Sequence, residues 1–157
     1  WHNKLINRKC IISKKAVFSK SGLKLKFESV EKSPELSGLK QCLEKDNNHE
    51  KRNNSNTIEV ETISLNDLIE ENASESNIDY ISIDTEGSEY EILKDFNFKK
   101  YNVEIFTVEH NFVEKKRDLI FALMTSHNYV RVFTNISQWD DWYIKKNNKI
   151  LLSMMDN

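Results

Sequence analysis

The chain has 157 residues, 38% of them hydrophobic and 31% charged, which is typical of one soluble globular domain with a real core. Its net charge of −2 argues against a general nucleic-acid or anionic-membrane surface, and no apolar run approaches the roughly 18 residues of a membrane-spanning helix. Cys10 and Cys42 lack metal-ligand spacing and indicate reduced thiols in a cytoplasmic protein. Because the chain starts at Trp1 rather than Met, we expect a fragment or a processed product.

The first thirty residues predict the end of a helix followed by short strands. Residues 1–7 are helix-like, and the basic pair that follows them would suit a helix C-terminus. Residues 10–13 and 15–18 are strand-like. Residues 23–27 alternate leucine or phenylalanine with lysine, which predicts a half-buried strand whose lysines face water.

Between residues 31 and 56 the hydrophobic periodicity is lost. This stretch contains the only proline, Pro34, and a strongly polar run at 46–56. Segments of this length without periodicity are typical of lids or disordered connections. We therefore predict a long flexible surface loop.

From residue 57 onward, strands and helices alternate. The expected elements are a strand at 57–63, a helix capped by Ser64, a strand at 79–83, a helix from Ser88, a strand at 103–108, a helix at 114–127 and a strand at 129–133 with a hairpin partner at 136–144. This order predicts an α/β fold with a mostly parallel sheet and a C-terminal antiparallel hairpin.

Acidic residues follow two neighbouring strands of the predicted sheet. Asp84 and Glu86 come directly after the strand at 79–83, and Glu109 and His110 end the next one. Open α/β sheets bind ligands at the carboxyl ends of their strands. The sequence therefore predicts one polar crevice, although a carboxylate that caps the following helix would explain Asp84 as well.

Residues 78–89, with the sequence IDYISIDTEGSE, resemble the central motif of the FkbM-type methyltransferases, which use S-adenosylmethionine. Other parts of the chain agree with the same family in order and rough spacing. They are Asn7-Arg8 with Ala16-Val17 and Gly22, Ser37-Gly38-Leu39, residues 60–68, residues 108–111 and residues 140–143. The resemblance thus covers nearly the whole chain.

The resemblance implies a Rossmann-like sheet, with S-adenosylmethionine as cofactor and a hydroxyl of a small molecule or sugar as methyl acceptor. Family members begin with a strand followed by a glycine-rich loop, and a second strand that ends in an acid. The three glycines of this chain form no such loop. We expect residues 1–157 to form a partial domain that lacks the first strands and leaves strand edges unpaired.

For methyl transfer to oxygen, the resemblance and the strand-end positions together suggest catalytic roles for four residues. Asp84, Glu86, Glu109 and His110 would orient the acceptor or remove its proton. His110 is a histidine at a strand end beside acids, and its ordinary pKa suits a general base. A structural role for this histidine is an equally good interpretation.

The remaining candidates concern binding. Asp84, Lys15 and Ala16 are assigned to the cofactor, and Ser37, Gly38 and Glu89 to the substrate. Sheet packing explains Lys15 and Ala16 as well, and a loop turn explains Ser37 and Gly38. Glu89 lies where acids favour the helix dipole in any case.

Two other functions remain open at this point. Asp84, Glu86 and Glu109 would also suit a metal-dependent hydrolase, and the chain would alternatively be a non-catalytic remnant. The preferred interpretation assigns no metal ligand. Nothing in the residues selects one acceptor or an oligomeric state.

Overall fold

A computed structural model describes Leu5 and residues 8–43, 49–52 and 55–154, so the predicted helix end at 1–7 lies almost entirely outside the described residues. The elements in chain order are β1 (Ala16–Phe18), β2 (Lys24–Val30), a 3-10 turn (Pro34–Leu36), β3 (Gly38–Leu39), a second 3-10 turn (His49–Arg52), β4 (Ser55–Ser64), α1 (Leu65–Asn72), β5 (Asn77–Ile83), α2 (Glu89–Lys94), β6 (Asn102–Glu109), α3 (Glu114–Ser126), β7 (Tyr129–Val132), β8 (Asp140–Lys145) and α4 (Lys149–Ser153). They form two four-stranded mixed sheets.

The first sheet has the strand order β1-β4-β2-β3. β1 runs parallel to β4, whereas β2 is antiparallel to both β4 and β3. The alternation in β2 turns Phe27 toward a small core formed by the buried side chains of Phe18, Leu39 and Cys42. Its lysines remain exposed, as the pattern predicts.

The second sheet has the order β5-β6-β8-β7 and carries the main core. β5 and β6 are parallel, and β8 is antiparallel to both β6 and β7. β6 lies inside the sheet, and its Val103 and Phe106 are fully buried. Side chains from α2 and α3, including Leu93 and Met124, pack against these residues.

The helix α1 begins as the sequence predicts. The hydroxyl oxygen of Ser64 accepts a hydrogen bond from the backbone N–H of Asp67 at 3.0 Å, which satisfies one of the free donors of the first turn. The hydroxyl of Ser21 accepts from the N–H of Ser64 at 2.8 Å and donates to the Asp67 carboxylate. The cap therefore also anchors the turn that precedes β2.

The fold agrees with the predicted one in part. The α/β class and the C-terminal antiparallel hairpin are confirmed. A mostly parallel sheet is not confirmed, because only the β1–β4 and β5–β6 pairings of the described strands are parallel. The predicted strand at 10–13 is wrong: residues 11–14 form no regular structure, and with no partner strand Ile11 stays 71% exposed.

The predicted loop at 31–56 contains both 3-10 turns, the short strand β3 and the start of β4 among its described residues. In the described part of the chain, β1 and β5 each pair on one side only and so form sheet edges. Every described helix is too short or too polar to cross a bilayer.

Candidate functional site

The parallel pairing of β5 and β6 brings the predicted acids together. Ile83, the last residue of β5, lies opposite Val108 in β6, so Asp84 and Glu109 follow at the same edge of the sheet. Asp84, Glu86 and Glu109 each offer a carboxylate oxygen, and the three atoms lie within 4.8 Å of one another. The predicted crevice between the two strand ends therefore exists.

Glu89 organises the turn that presents Asp84 and Glu86. One of its carboxylate oxygens accepts hydrogen bonds from the Thr85 N–H at 3.0 Å, the Thr85 hydroxyl at 2.9 Å and the Gly87 N–H at 2.9 Å. The Glu89 side chain is almost completely buried. Its contacts are those of a residue that holds the backbone of the turn, a role that differs from both the predicted substrate contact and the helix-dipole alternative.

Gly87 lets the turn approach the first sheet closely. Its φ of +108° favours glycine, and a Cβ atom built there would lie 2.3 Å from the carbonyl oxygen of Cys42. The Lys116 ammonium group donates to the carbonyl oxygens of both Cys42 and Gly87. The turn is thus fixed between α3 and the segment that follows β3.

A buried ion pair fixes Glu86. The Arg52 Nη2 atom lies 2.5 Å from the Glu86 Oε2 atom, and both side chains are 7% exposed. The Arg52 Nε–H also donates to the carbonyl oxygen of Leu36 at 3.1 Å. The backbone of Gly38 lies close to Glu86, because a Cβ built on Gly38 would be 3.0 Å from the Glu86 Cβ.

Arg52 is the site residue that the sequence does not reveal. It lies in the polar stretch where periodicity is lost, and no local pattern distinguishes it from the neighbouring Lys51. Only the tertiary fold brings it to Glu86. A buried acid such as Glu86 requires a cationic partner, but the sequence does not show that Glu86 is buried.

Glu109 lies in the most unusual electrostatic environment of the site. Burial, followed by the negative charges of Asp84, Glu86 and Glu89 and a hydrogen bond with Asp84, raises the pKa of Glu109 to about 9. The Glu109 carboxyl group is therefore protonated at neutral pH in the folded protein. The Oε2 atom of Glu109 is buried and has no hydrogen-bond partner among the described residues.

His110 faces a different group of charges. Its Nδ1 atom accepts a hydrogen bond from the Phe112 N–H at 3.1 Å, and its Nε2 atom lies 3.9 Å from a carboxylate oxygen of Asp141. Asp141 is held by Arg117 through two hydrogen bonds at 2.8 and 2.9 Å and by Arg131 at 3.3 Å. Burial and the Arg117 charge lower the pKa of His110.

This arrangement leaves the neutral imidazole without a free acceptor. With Nδ1 accepting from the backbone, the ring proton belongs on Nε2, so neither nitrogen of His110 has a lone pair available to a substrate. The geometry favours the structural interpretation of His110 over general-base catalysis.

The remaining predicted residues are only partly brought to the acids. Lys15 pairs with Glu61 at 3.0 Å and Ala16 pairs with Thr62, both within the first sheet. The Ser37 hydroxyl accepts from the Val30 N–H at 2.9 Å and so anchors the loop. Gly38 packs against an acid of the site, Glu86.

The cavity beside the acids is small. It has a volume of about 20 Å³, and its lining includes Glu86, Glu89, Glu109 and Lys116. That volume holds about one water-sized group, whereas pockets for drug-sized ligands measure roughly 300–1,000 Å³. Within the described residues, the acids therefore enclose a space for an ion or a single polar group and do not enclose a nucleoside.

A comparison with protein families tests the resemblance that residues 78–89 show. The methyltransferase FkbM domain matches residues 16–139, well over half of the chain. The chain belongs to the FkbM methyltransferase family. No curated protein and no solved structure matches it significantly. In this FkbM-family chain, the acids at the ends of β5 and β6 fall inside the matched region.

Proposed function

We propose that this protein transfers a methyl group from S-adenosylmethionine to an oxygen atom, namely a hydroxyl group of a small molecule or sugar. The observation that carries the proposal is the match of the FkbM domain to residues 16–139. The acid cluster supports it, because Asp84 and Glu109 lie where an open α/β sheet binds its ligands.

The residues of this chain are suited to the acceptor side of the reaction. Asp84 is exposed, so its carboxylate is accessible to an acceptor hydroxyl and can take up the proton that methylation releases. Glu109 lies beside it, with a carboxylate oxygen within 4.8 Å of one of Asp84. Glu86 is held by Arg52 and contributes negative charge at a fixed position.

S-adenosylmethionine would supply the methyl group, but the described residues do not form a nucleoside-sized pocket next to the acids. We therefore assign no step of the reaction to residues that bind it. The roles of Lys15 and Ala16 at an adenine pocket stay predictions. The cytoplasm remains the proposed compartment, on the ground that the two cysteines of the sequence lack metal-ligand spacing.

The alternative functions have less support. A metal-dependent hydrolase would rest on the acid cluster alone, and the family match gives it no support. In a non-catalytic remnant, the buried Arg52–Glu86 pair would have no reason to fix Glu86 beside the exposed Asp84. Methyl transfer is the function that agrees with both the family and the site.

A titration tests the proposal. S-adenosylhomocysteine is added in a calorimeter to the 157-residue chain and to the protein expressed from its complete reading frame. We expect saturable binding by at least the second sample. Absence of binding in both samples would contradict methyl transfer and favour the remnant.

A further inference from the structure

We propose that Asp84, Glu86 and Glu109 together bind one hard divalent cation, of the Mg²⁺ and Mn²⁺ class, between the ends of β5 and β6. The three carboxylates offer oxygen atoms within 4.8 Å of one another. Oxygen ligands of such ions lie about 2.0–2.6 Å from the metal, so two ligands of one ion are at most about 4–5 Å apart. The spacing of the three acids meets this limit.

The unpartnered oxygen of Glu109 is a second and separate indication of a ligand. Glu109 is only 8% exposed, and its Oε2 atom has no hydrogen-bond partner among the described residues. Burying a carboxylate oxygen without a partner is costly, and native proteins rarely leave such an atom unsatisfied. A cation among the three acids would supply the missing interaction.

The charges around the cluster also leave room for a cation. Arg52 pairs with Glu86, but in the described ranges 8–43, 49–52 and 55–154 no cationic side chain pairs with Asp84 or Glu109. Within those ranges Asp84 and Glu109 therefore have no positive partner, and a divalent ion that displaces the proton of Glu109 would supply one. Arg52 would act on Glu86 as outer partners act on metal-binding carboxylates, by fixing their orientation.

The donor set and the space indicate the kind of ion. All three ligands are carboxylates, which suit Mg²⁺, Mn²⁺ or Ca²⁺ better than the softer metals that prefer sulfur or imidazole. The cavity of about 20 Å³ beside Glu86 and Glu109 accommodates an ion or a single water. Asp84 is exposed and gives the ion access from solvent.

The consequence for chemistry rests on the proposed function. A hydroxyl group bound to such a cation would be oriented beside Asp84, and the cation would lower its pKa. Cation binding itself requires no methyl transfer, so the two proposals can fail independently.

The test is a titration of the metal-free 157-residue chain with Mn²⁺, in which free Mn²⁺ is measured by electron paramagnetic resonance and Mg²⁺ is then added as competitor. We expect one ion per chain. Glu109→Gln and Asp84→Asn each remove one ligand charge and should weaken binding by about tenfold or more. Glu75→Gln removes an exposed acid just before the N-terminus of β5, at the end of the strand opposite to Asp84. It should leave binding within about twofold of the wild-type value.

Two results would overturn the cation site. One is the absence of saturable Mn²⁺ binding, and the other is binding that both ligand variants retain in full. Circular dichroism verifies the fold of each variant, and Asp84→Asn decides the question if Glu109→Gln does not fold, because Asp84 is exposed. If the wild-type protein binds S-adenosylhomocysteine but not Mn²⁺, only the cation site is rejected. If it binds Mn²⁺ but not S-adenosylhomocysteine, only methyl transfer is rejected.

Discussion

The two sheets differ in core size and in chemical content. The first sheet covers a small core of Phe18, Leu39 and Cys42. The second contains fully buried residues such as Phe106 and Tyr143, and the acids of the site follow its first two strands. The site thus lies on the sheet with the larger core, where rigid strands fix the positions of its carboxylates.

The first sheet contributes to the site through its connections. Arg52 and the carbonyl oxygen of Cys42 both come from segments that follow β3, and both contact the turn after β5. Gly38, in β3 itself, packs against Glu86. One sheet thus presents the acids, while the other sheet and the segments that follow β3 position the turn that carries them.

The largest predicted effect compares the two cores directly. Phe106 is fully buried and packs against the rings of Tyr129 at 5.3 Å and Phe96 at 5.9 Å. We expect Phe106→Ala to lower the free energy of unfolding by about 3–5 kcal/mol, and Phe18→Ala by about 2–3 kcal/mol, because the smaller core leaves a smaller cavity. Urea denaturation measures both values. Equal losses would show that the two cores do not differ as described.

The second prediction breaks the link between the sheets. Arg52→Met removes the guanidinium group that lies against the buried Glu86 carboxylate and should lower the free energy of unfolding by about 3 kcal/mol. Adding Glu86→Gln should restore part of this loss. The matched control is Lys100→Met, which breaks an exposed pair with Glu70 and should change stability by less than about 1 kcal/mol. Similar losses in both single variants would mean that the buried pair has no special role.

The third prediction concerns the turn at Gly87. Gly87→Ala combines an unfavourable φ with a Cβ only 2.3 Å from the carbonyl oxygen of Cys42, so it should cost about 2–3 kcal/mol. Gly22 also has a positive φ, +77°, but no atom lies within 4 Å of its Cβ position. Gly22→Ala should therefore cost only about 1 kcal/mol. Thermal unfolding of the two variants distinguishes the close contact from backbone strain; the same melting temperature for both would argue against the contact.

The smallest and most gradual effect is a pH dependence. The pKa of Glu109 is raised to about 9 in the folded protein from an ordinary 4.5, so the folded state binds more protons than the unfolded state between these values. Stability contributed by Glu109 is present below pH 4.5 and is lost as the pH rises toward 9, by up to about 1 kcal/mol per pH unit.

The measurement is urea denaturation at pH 6 and pH 8 in metal-free buffer. The wild-type protein should lose stability between these pH values, and Glu109→Gln should remove most of that loss because the amide does not titrate. A pH dependence that is unchanged in Glu109→Gln would assign the effect to another group.

The sequence predicts those parts of the fold that depend on local patterns. The strands β2, β4, β5 and β6, the Ser64 cap and the helix α3 all follow from periodicity or capping chemistry. The meeting of Asp84 and Glu109 also follows, because parallel neighbouring strands end at one edge. The resemblance of residues 78–89 to the FkbM motif identifies the family from the amino-acid sequence alone.

The remaining features depend on tertiary contacts that no local pattern contains. Arg52 lies in a segment without periodicity and becomes a site residue only through its partner Glu86. The backbone N–H of Phe112 occupies the acceptor nitrogen of His110, which the strand-end position does not reveal. The antiparallel pairings of β2 with β4 and of β8 with β6 do not follow from the sequence, because the alternation of strands and helices does not determine them.

The central claim is that Asp84, at the end of β5, takes up the proton of the acceptor hydroxyl in methyl transfer. The most direct measurement is the turnover of methyl transfer from labelled S-adenosylmethionine by the protein from its complete reading frame, with Glu75→Gln as the control. We predict that Asp84→Asn lowers turnover about tenfold or more with an unchanged melting temperature, while Glu75→Gln has no effect. Full turnover in Asp84→Asn would contradict the claim and remove Asp84 from the mechanism.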